Sequence, residues 1–475
     1  MSTAVETGWE MVVGLEVHCE LSTETKLFCG CRNAFGDEPN TNICPVCLGL
    51  PGSLPVVNER AVEFAMRIGE ALHCSVEPSI FHRKNYFYPD MPKDYQVSQY
   101  DMPINVRGWL ELPDGTRVGI TRAHMEEDTG KTTHVGGGGR IHEASYALVD
   151  YNRAGVPLVE IVSDPDIRSA EQAKAYVEEL RAILAAIEVS DVKMEEGSLR
   201  VDSNVSMRPA GSAEYGTRCE IKNLNSLRSL VHAVEYESRR QVDLLKAGEP
   251  VAQETRHWNE EGDRTHSLRS KEEAYDYRYF PEPDLVPVEP SQEWLAEVRA
   301  SIPALPAERR AALAAEAGSS STADAAVIIE RGLDALVRAA IAAGADPERV
   351  VTHAVHNLAV EGAADLRPEG LADLVTLETE GKLTATQAKK VLSEMLERGG
   401  EPAAIAAELG FEAMDSDALA AVVDEVIAAS PAEFERLTGG DQKVIGFFVG
   451  EVMRRTKGKA DGKVVTAVLR ERASG

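Results

Sequence analysis

Residues 12–21 contain a donor set for a hard cation. Val13, Leu15, Val17 and Leu21 fall on one face of a period-two strand, and Glu16, His18 and Glu20 fall on the other. Two carboxylates and an imidazole suit a magnesium-like ion, whereas a merely solvated face favours Lys, Thr and Ser. An exposed strand can carry such residues on its own, so the reading depends on whether other strands repeat it.

Other segments do. Residues 199–207 set Arg200, Asp202, Asn204 and Ser206 opposite Leu199, Val201, Val205 and Met207. Residues 158–162 are apolar apart from Glu160, as in a central strand, and bring an acid with no cation near it in sequence. His124, Glu126, Glu127 and Asp128 follow a strand-like 118–121. Acids on a solvated sheet would explain each segment alone, and Glu160 least well. Residues 81–93 interleave Arg83, Lys84 and Lys93 with Tyr86, Phe87 and Tyr88. That stretch can hold phosphate and stack on a base or ribose; an aromatic loop with lysines reaching solvent is the alternative.

Cys29, Cys31, Cys44 and Cys47 form two close pairs in a segment rich in Gly, Pro and Asn. Four thiolates so spaced suit tetrahedral zinc with no open position, a metal that holds a loop and does no chemistry. Cys19, Cys74 and Cys219 lie scattered, which argues against a disulfide framework. The glycine run 136–139 lacks the Lys-Ser/Thr and the strand-to-helix setting of a phosphate loop, and reads as a hairpin tip. The serine run 319–321 has no partner motif and reads as a linker.

The elements that must position these residues follow from periodicity and composition. Helices are expected at 58–72, at 169–187 with Ser169 as cap, and at 227–245. Strands interspersed with helices through short turns predict an α+β domain with an antiparallel sheet over 1–292. An Ala/Leu/Glu/Arg-rich helical domain is expected over 293–401, and a small α-helical tail over 402–475. From Asp441 onward the tail carries eight Lys and Arg, Arg454, Arg455, Lys457 and Lys459 among them, against four acids. The whole chain of 475 residues has a net charge of −28, which excludes a general polyanion binder and leaves this local patch as the place to meet one. A solvated helix face is the ordinary alternative. No apolar run approaches the roughly 18 residues of a membrane span, and the N-terminus lacks a signal-peptide pattern, so a soluble cytoplasmic protein is expected.

Six motifs in order carry a resemblance over nearly the whole chain: 14–18 (Gly-Leu-Glu-Val-His), 83–90, 124–128, 191–200, 220–226 and 276–284. The chain resembles the B subunits of the aspartyl/glutamyl-tRNA(Asn/Gln) amidotransferases. The resemblance implies a cradle domain similar to glutamine synthetase, then a helical domain and a tail that grips tRNA. It implies ATP- and Mg2+-dependent phosphorylation of the side-chain carboxylate of Glu or Asp wrongly attached to tRNA(Gln) or tRNA(Asn). Ammonia from the A subunit then gives Gln-tRNA or Asn-tRNA, and a C subunit completes a heterotrimer. No amidase serine-lysine arrangement is found, consistent with a glutaminase in a partner.

On the matching positions, the resemblance assigns Mg2+ to Glu16, His18, Glu127 and Glu160, with Asp202 beside them. Glu127, Glu160, Asp202, His18 and Arg200 are the implied catalytic group, and Lys84, Arg83 and Asn204 the implied nucleotide contacts. Glu126 ranks below Glu127, since neighbours on a strand point apart. Arg454, Arg455, Lys457 and Lys459 would contact tRNA, and zinc would play a supporting part. A tRNA-binding scaffold without chemistry would not need Glu160, and a stand-alone metal hydrolase would leave the cysteines and the helical tail unexplained.

Overall fold

The computed structural model describes residues 8–136, 144–270, 276–318, 322–360, 362–411, 416–439, 441–456, 460 and 462–474. The chain divides into two units, Met1–Pro306 and Ala307–Gly475.

In chain order the first unit contains β1 (Trp9–Glu20), α1 (Glu59–Ala71), β2 (Ser75–Val76), β3 (His82–Asn85), β4 (Tyr95–Ser98), β5 (Asn105–Glu111), β6 (Arg117–Glu127), β7 (Lys131–Val135) and β8 (Tyr146–Asp150). It continues with β9 (Pro157–Ser163), α2 (Ala170–Ala186), β10 (Leu199–Pro209), β11 (Cys219–Leu224), α3 (Leu227–Lys246), β12 (Glu254–Asn259), β13 (Arg264–Ser270), β14 (Phe280–Pro281) and α4 (Gln292–Ser301). Twelve strands form one sheet, in the order β13-β12-β11-β10-β1-β9-β6-β4-β3-β14, with β5 pairing β6 and β2 pairing β5. A separate ribbon joins β7 to β8.

The sheet is mixed. Its strand pairs are antiparallel except β11 with β12, which run parallel. The reason is α3: it returns the chain to the starting end of β11, a crossover that a short hairpin turn cannot make. Ser226 caps α3, Ser169 caps α2 and Asn58 caps α1, each through a side-chain oxygen accepting backbone N–H groups.

Alternation in β1 divides the sheet into two chemistries. Val13, Leu15, Val17 and Cys19 are at most 1% exposed and share a core with Val159 and Ile161 of β9, Val201 and Val205 of β10, and residues of α1, α2 and α3. Burial of that face drives the layer together, so the residues between, Glu16, His18 and Glu20, face the other way. Leu295 and Val298 of α4 belong to the same core.

Asn105, fully buried, ties α1 to the sheet by donating to the Ala65 and Ala123 carbonyls at 2.8 and 3.1 Å. A Cβ at Gly69 of α1 would lie 2.0 Å from the Asn105 Oδ1. Gly69→Ala, which in an open helix would gain about 1 kcal/mol, is therefore expected to cost about 1–3 kcal/mol by overpacking. Urea unfolding of the variant beside wild type checks the sign.

Among its described residues the second unit is all helical. It holds two apolar cores, one drawn from Leu313 to Ala406 and the other from Leu419 to Leu469. No helix among the described residues is long and apolar enough to cross a membrane. Of the expected hairpin tip at 136–139 the structure describes Gly136 alone, and the linker at 319–321 lies outside the described residues.

Candidate active site

Register across β10, β1, β9 and β6 sets the site. Arg200 is opposite His18, His18 opposite Glu160, and Glu160 opposite His124. Cross-strand partners share a face, so these four make one polar row. The next position along adds Glu16 opposite Asp202. The His18 Nε2 lies 3.4 Å and the His124 Nε2 3.7 Å from the Glu160 Oε2. Glu126, on the same face of β6, brings a carboxylate oxygen 3.9 Å from the His124 Nε2.

One donor atom from each of His18, Glu126 and Glu160 falls within 4.8 Å of the others, close enough to share an ion. Two carboxylates with one imidazole fit magnesium or manganese. The cavity over them has a volume of about 380 Å³, and its walls include Glu16, Lys84, Arg122, Lys222, Tyr277 and Tyr279.

Charge is distributed unequally. Burial alone would push the Glu160 carboxyl up, but the His18 hydrogen bond and nearby cationic groups outweigh it and hold Glu160 well below the usual range. Burial drives His124 down to about 4, so it is neutral near pH 7. Burial acts against the charged form of His18 too, yet its hydrogen bond to Glu160 raises it overall. Glu126 is raised, by burial first and then by Glu160. The site thus pairs an acid whose ionised form is favoured with one whose ionised form is disfavoured.

The expected residues divide by where their strands turn them. His18, Glu160, Glu16 and Lys84 meet in the cavity. Asp202 lies beside it, held by Lys222 at 2.7 Å, and Asn204 donates to Glu16 at 2.9 Å. Glu127 does not join them. It is 2% exposed on the opposite face of β6, paired with Lys93 and accepting the Val97 N–H at 2.8 Å. Glu126 takes the place that the sequence reading gave to Glu127.

Arg83 also faces away from the cavity, with its guanidinium clamped by Glu282 at 2.6 and 2.8 Å and lying over the Tyr95 ring. Arg200 is bound to Asp128 at 2.6 Å. Burial resists charge on Asp128, but Arg200 and Arg153 prevail and bring it to about 2, while burial and Asp128 push Glu20 up to about 8. In the tail, Arg454 pairs with Glu451, and Arg455 lies 3.8 Å from Glu425. Lys457 and Lys459 lie outside the described residues.

Sequence reasoning missed His124, Arg122, Lys222, Tyr277 and Tyr279 as cavity residues. Glu220, Lys222 and the Asp276–Asp284 run stood inside quoted motifs, but nothing in their spacing says that β11 and the segment before β14 reach the same cavity.

The sulfurs of Cys29, Cys31, Cys44 and Cys47 also lie within 4.8 Å of one another. The Cys29 thiol donates to Cys47, holding Cys47 down to about 5 and raising Cys29. A set that already stabilises one thiolate is suited to zinc, which displaces the remaining protons. One equivalent of zinc per chain is expected by elemental analysis. Cys44→Ser with Cys47→Ser should remove it and lower the melting temperature.

The chain matches the family model for the GatB/GatE catalytic domain over residues 11–296 and that for the GatB domain over residues 338–472. It is 51% identical to the aspartyl/glutamyl-tRNA(Asn/Gln) amidotransferase B subunit of Frankia casuarinae, across 98% of this chain and 95% of that one. With the corresponding B subunit of Rhodococcus jostii it shares 52% identity over 95% and 94% of the two chains, and with that of Brevibacillus brevis 46% over 98% of each. Matches of that extent, covering both the sheet that builds the cavity and most of the helical unit, show that the chain belongs to the GatB/GatE family of amidotransferase B subunits.

Proposed function

We propose that this chain, as the B subunit of a glutamine-hydrolysing, tRNA-dependent ligase, activates a side-chain carboxylate in the Glu160 cavity. The substrate is Glu on tRNA(Gln) or Asp on tRNA(Asn). The observation that carries this reading is the meeting of His18, Glu126 and Glu160 in a cavity that also holds Lys84, Arg122 and Lys222. Joining a carboxylate to a phosphoryl group brings two anions together, so such a site needs cations and a fixed geometry more than a nucleophile of its own. Magnesium held by His18, Glu126 and Glu160 would neutralise phosphate charge.

The chain's own groups do the rest. The Lys84 ammonium, 5.0 Å from the Tyr277 ring centre and near Glu126 and Glu160, is placed to meet the transferring phosphoryl group. Arg122, 3.9 Å from Glu160, can turn to the same anion. A carboxylate oxygen of the substrate attacks the γ-phosphorus of ATP and ADP leaves; ammonia then attacks the acyl carbon and inorganic phosphate leaves, giving the amide. Ammonia comes from an A subunit, and a C subunit completes the assembly. The relatives are named as B subunits, which supports a multi-subunit enzyme.

The first unit serves as the cradle and the helical unit as the tRNA-gripping part. Among the described residues its exposed Arg454 and Arg455 are held by surface pairs, which yield cheaply to phosphate. Arg454→Ala with Arg455→Ala is expected to weaken tRNA binding and to flatten its salt dependence by about one for each phosphate no longer neutralised.

The test is ATP consumption by the chain copurified with its A and C partners. Glu-tRNA(Gln) or Asp-tRNA(Asn) should stimulate turnover, and correctly charged Gln-tRNA(Gln) should not. ATP use indifferent to the attached amino acid would overturn the reading.

A further inference from the structure

A second group of carboxylates lies at this cavity, Glu16 and Glu220 lining it and Asp202 beside it. Glu16 on β1, Asp202 on β10 and Glu220 on β11 come from three neighbouring strands, Glu16 lying opposite Asp202, and Glu220 opposite Asn204. Carboxylates converging beside a phosphoryl-transfer centre are what a second divalent ion requires; two-metal sites use such an ion to balance the charge that the first leaves over. Here the side chain of Lys222 enters the group instead. Its Nζ lies 2.7 Å from the Asp202 Oδ2 and 3.0 Å from the Glu220 Oε1. The Asn204 amide occupies a Glu16 oxygen at 2.9 Å. Glu16, Glu220 and Lys222 all line the cavity that His18, Glu126 and Glu160 line.

We propose that Lys222 is a built-in cation that takes the place of a second divalent ion. The inference rests on the reading that His18, Glu126 and Glu160 hold the first. A lysine ammonium is a compact point charge, and one anchored on a strand cannot dissociate between turnovers. The cavity then depends on a single exchangeable ion, and the charge on its β11 side does not vary with metal supply. Lys222 also orders Asp202 and Glu220 before any substrate arrives, so no carboxylate must be gathered during binding.

Manganese titration of the full chain, followed by the loss of the free-ion electron paramagnetic resonance signal, tests this. Nucleotide is left out because it carries its own metal, and the cysteine site is first filled with zinc. Wild type should bind one Mn2+. Lys222→Met should bind two, the pair broadening each other's spectrum, while Lys222→Arg stays at one. Lys222→Met combined with Asp202→Asn should return to one. If Lys222→Met does not fold, Lys222→Gln keeps the bulk and is titrated in its place.

Two ions in wild type would overturn the inference and leave the metal reading standing. One ion in the folded Lys222→Met or Lys222→Gln variant would also overturn it, reducing Lys222 to a strut between strands. No ion in wild type would remove the first site and this inference with it.

Discussion

Glu160→Gln is expected to lower ATP consumption with mischarged tRNA about a thousandfold, the scale seen when a preorganised charge is removed from a transition state. The substitution keeps the size of the side chain and removes its charge. Glu160 lies between His18 at 3.4 Å and His124 at 3.7 Å, and its hydrogen bond to His18 favours its ionised form despite burial. Gln offers the same volume but a weaker oxygen donor to the ion. Metal affinity and phosphoryl transfer should therefore fall together. The fold should survive, because Glu160 packs among polar groups of the open face while Val159 and Ile161 keep the core. Turnover, Mn2+ titration and a urea melt on one preparation check all three. Turnover within tenfold of wild type would remove Glu160 from the chemistry.

Glu126→Gln and Glu127→Gln, adjacent in one strand, should fail in different ways. Glu126 faces His124 and the cavity, so its loss should cost activity and metal while stability stays near wild type. Glu127 is buried with Lys93, whose side chain is 8% exposed, and it accepts the Val97 N–H. Removing one member of a buried ion pair strands the other, which costs about 3–5 kcal/mol. Glu127→Gln should therefore lower the unfolding midpoint sharply. Lys93→Met combined with Glu127→Gln should recover much of that loss, since no lone charge remains inside. If Glu126→Gln proves the unstable variant and Glu127→Gln the one that loses its ion, β6 is turned over.

That pair also shows how far the sequence could be read. Alternation placed Glu16 and His18 opposite Val13, Leu15 and Val17 because β1 is regular throughout, and the same holds for Glu160 in β9 and Asp202 in β10. β6 is not regular. Its core residues are Val118 and Ile120 early on, then Ala123 and Met125, and the phase changes at a register shift between Ile120 and Arg122. Counting by twos from Val118 puts Glu127 on the polar face; after the bulge that position belongs to Glu126. A bulge leaves little trace in side-chain types, so alternation alone could not have corrected the choice of Glu127 that the resemblance implied.

The partners of Arg83 and Arg200 were not legible either. Their partners, Glu282 and Asp128, are distant in sequence, and which carboxylate claims an arginine is decided only by packing. The helices were more legible, since Asn58, Ser169 and Ser226 announce their starts through local chemistry. The parallel pairing of β11 and β12 had no local signature, because a crossover and a long hairpin connection use the same kinds of residue.

Asn204 reaches Glu16 across 188 residues of chain. During synthesis β1 emerges early and must wait for nearly half the protein before β10 arrives to pair with it. For that interval its apolar residues and open edges are available to other chains, the condition under which nascent β proteins aggregate or engage chaperones. The delay reaches the chemistry as well. The proposed ligands of the ion come from β1, β6 and β9, so ion binding by the cavity reports that β9 has paired with both of its neighbours. Capacity to bind the ion during refolding should then rise with formation of the sheet and not with early formation of helix.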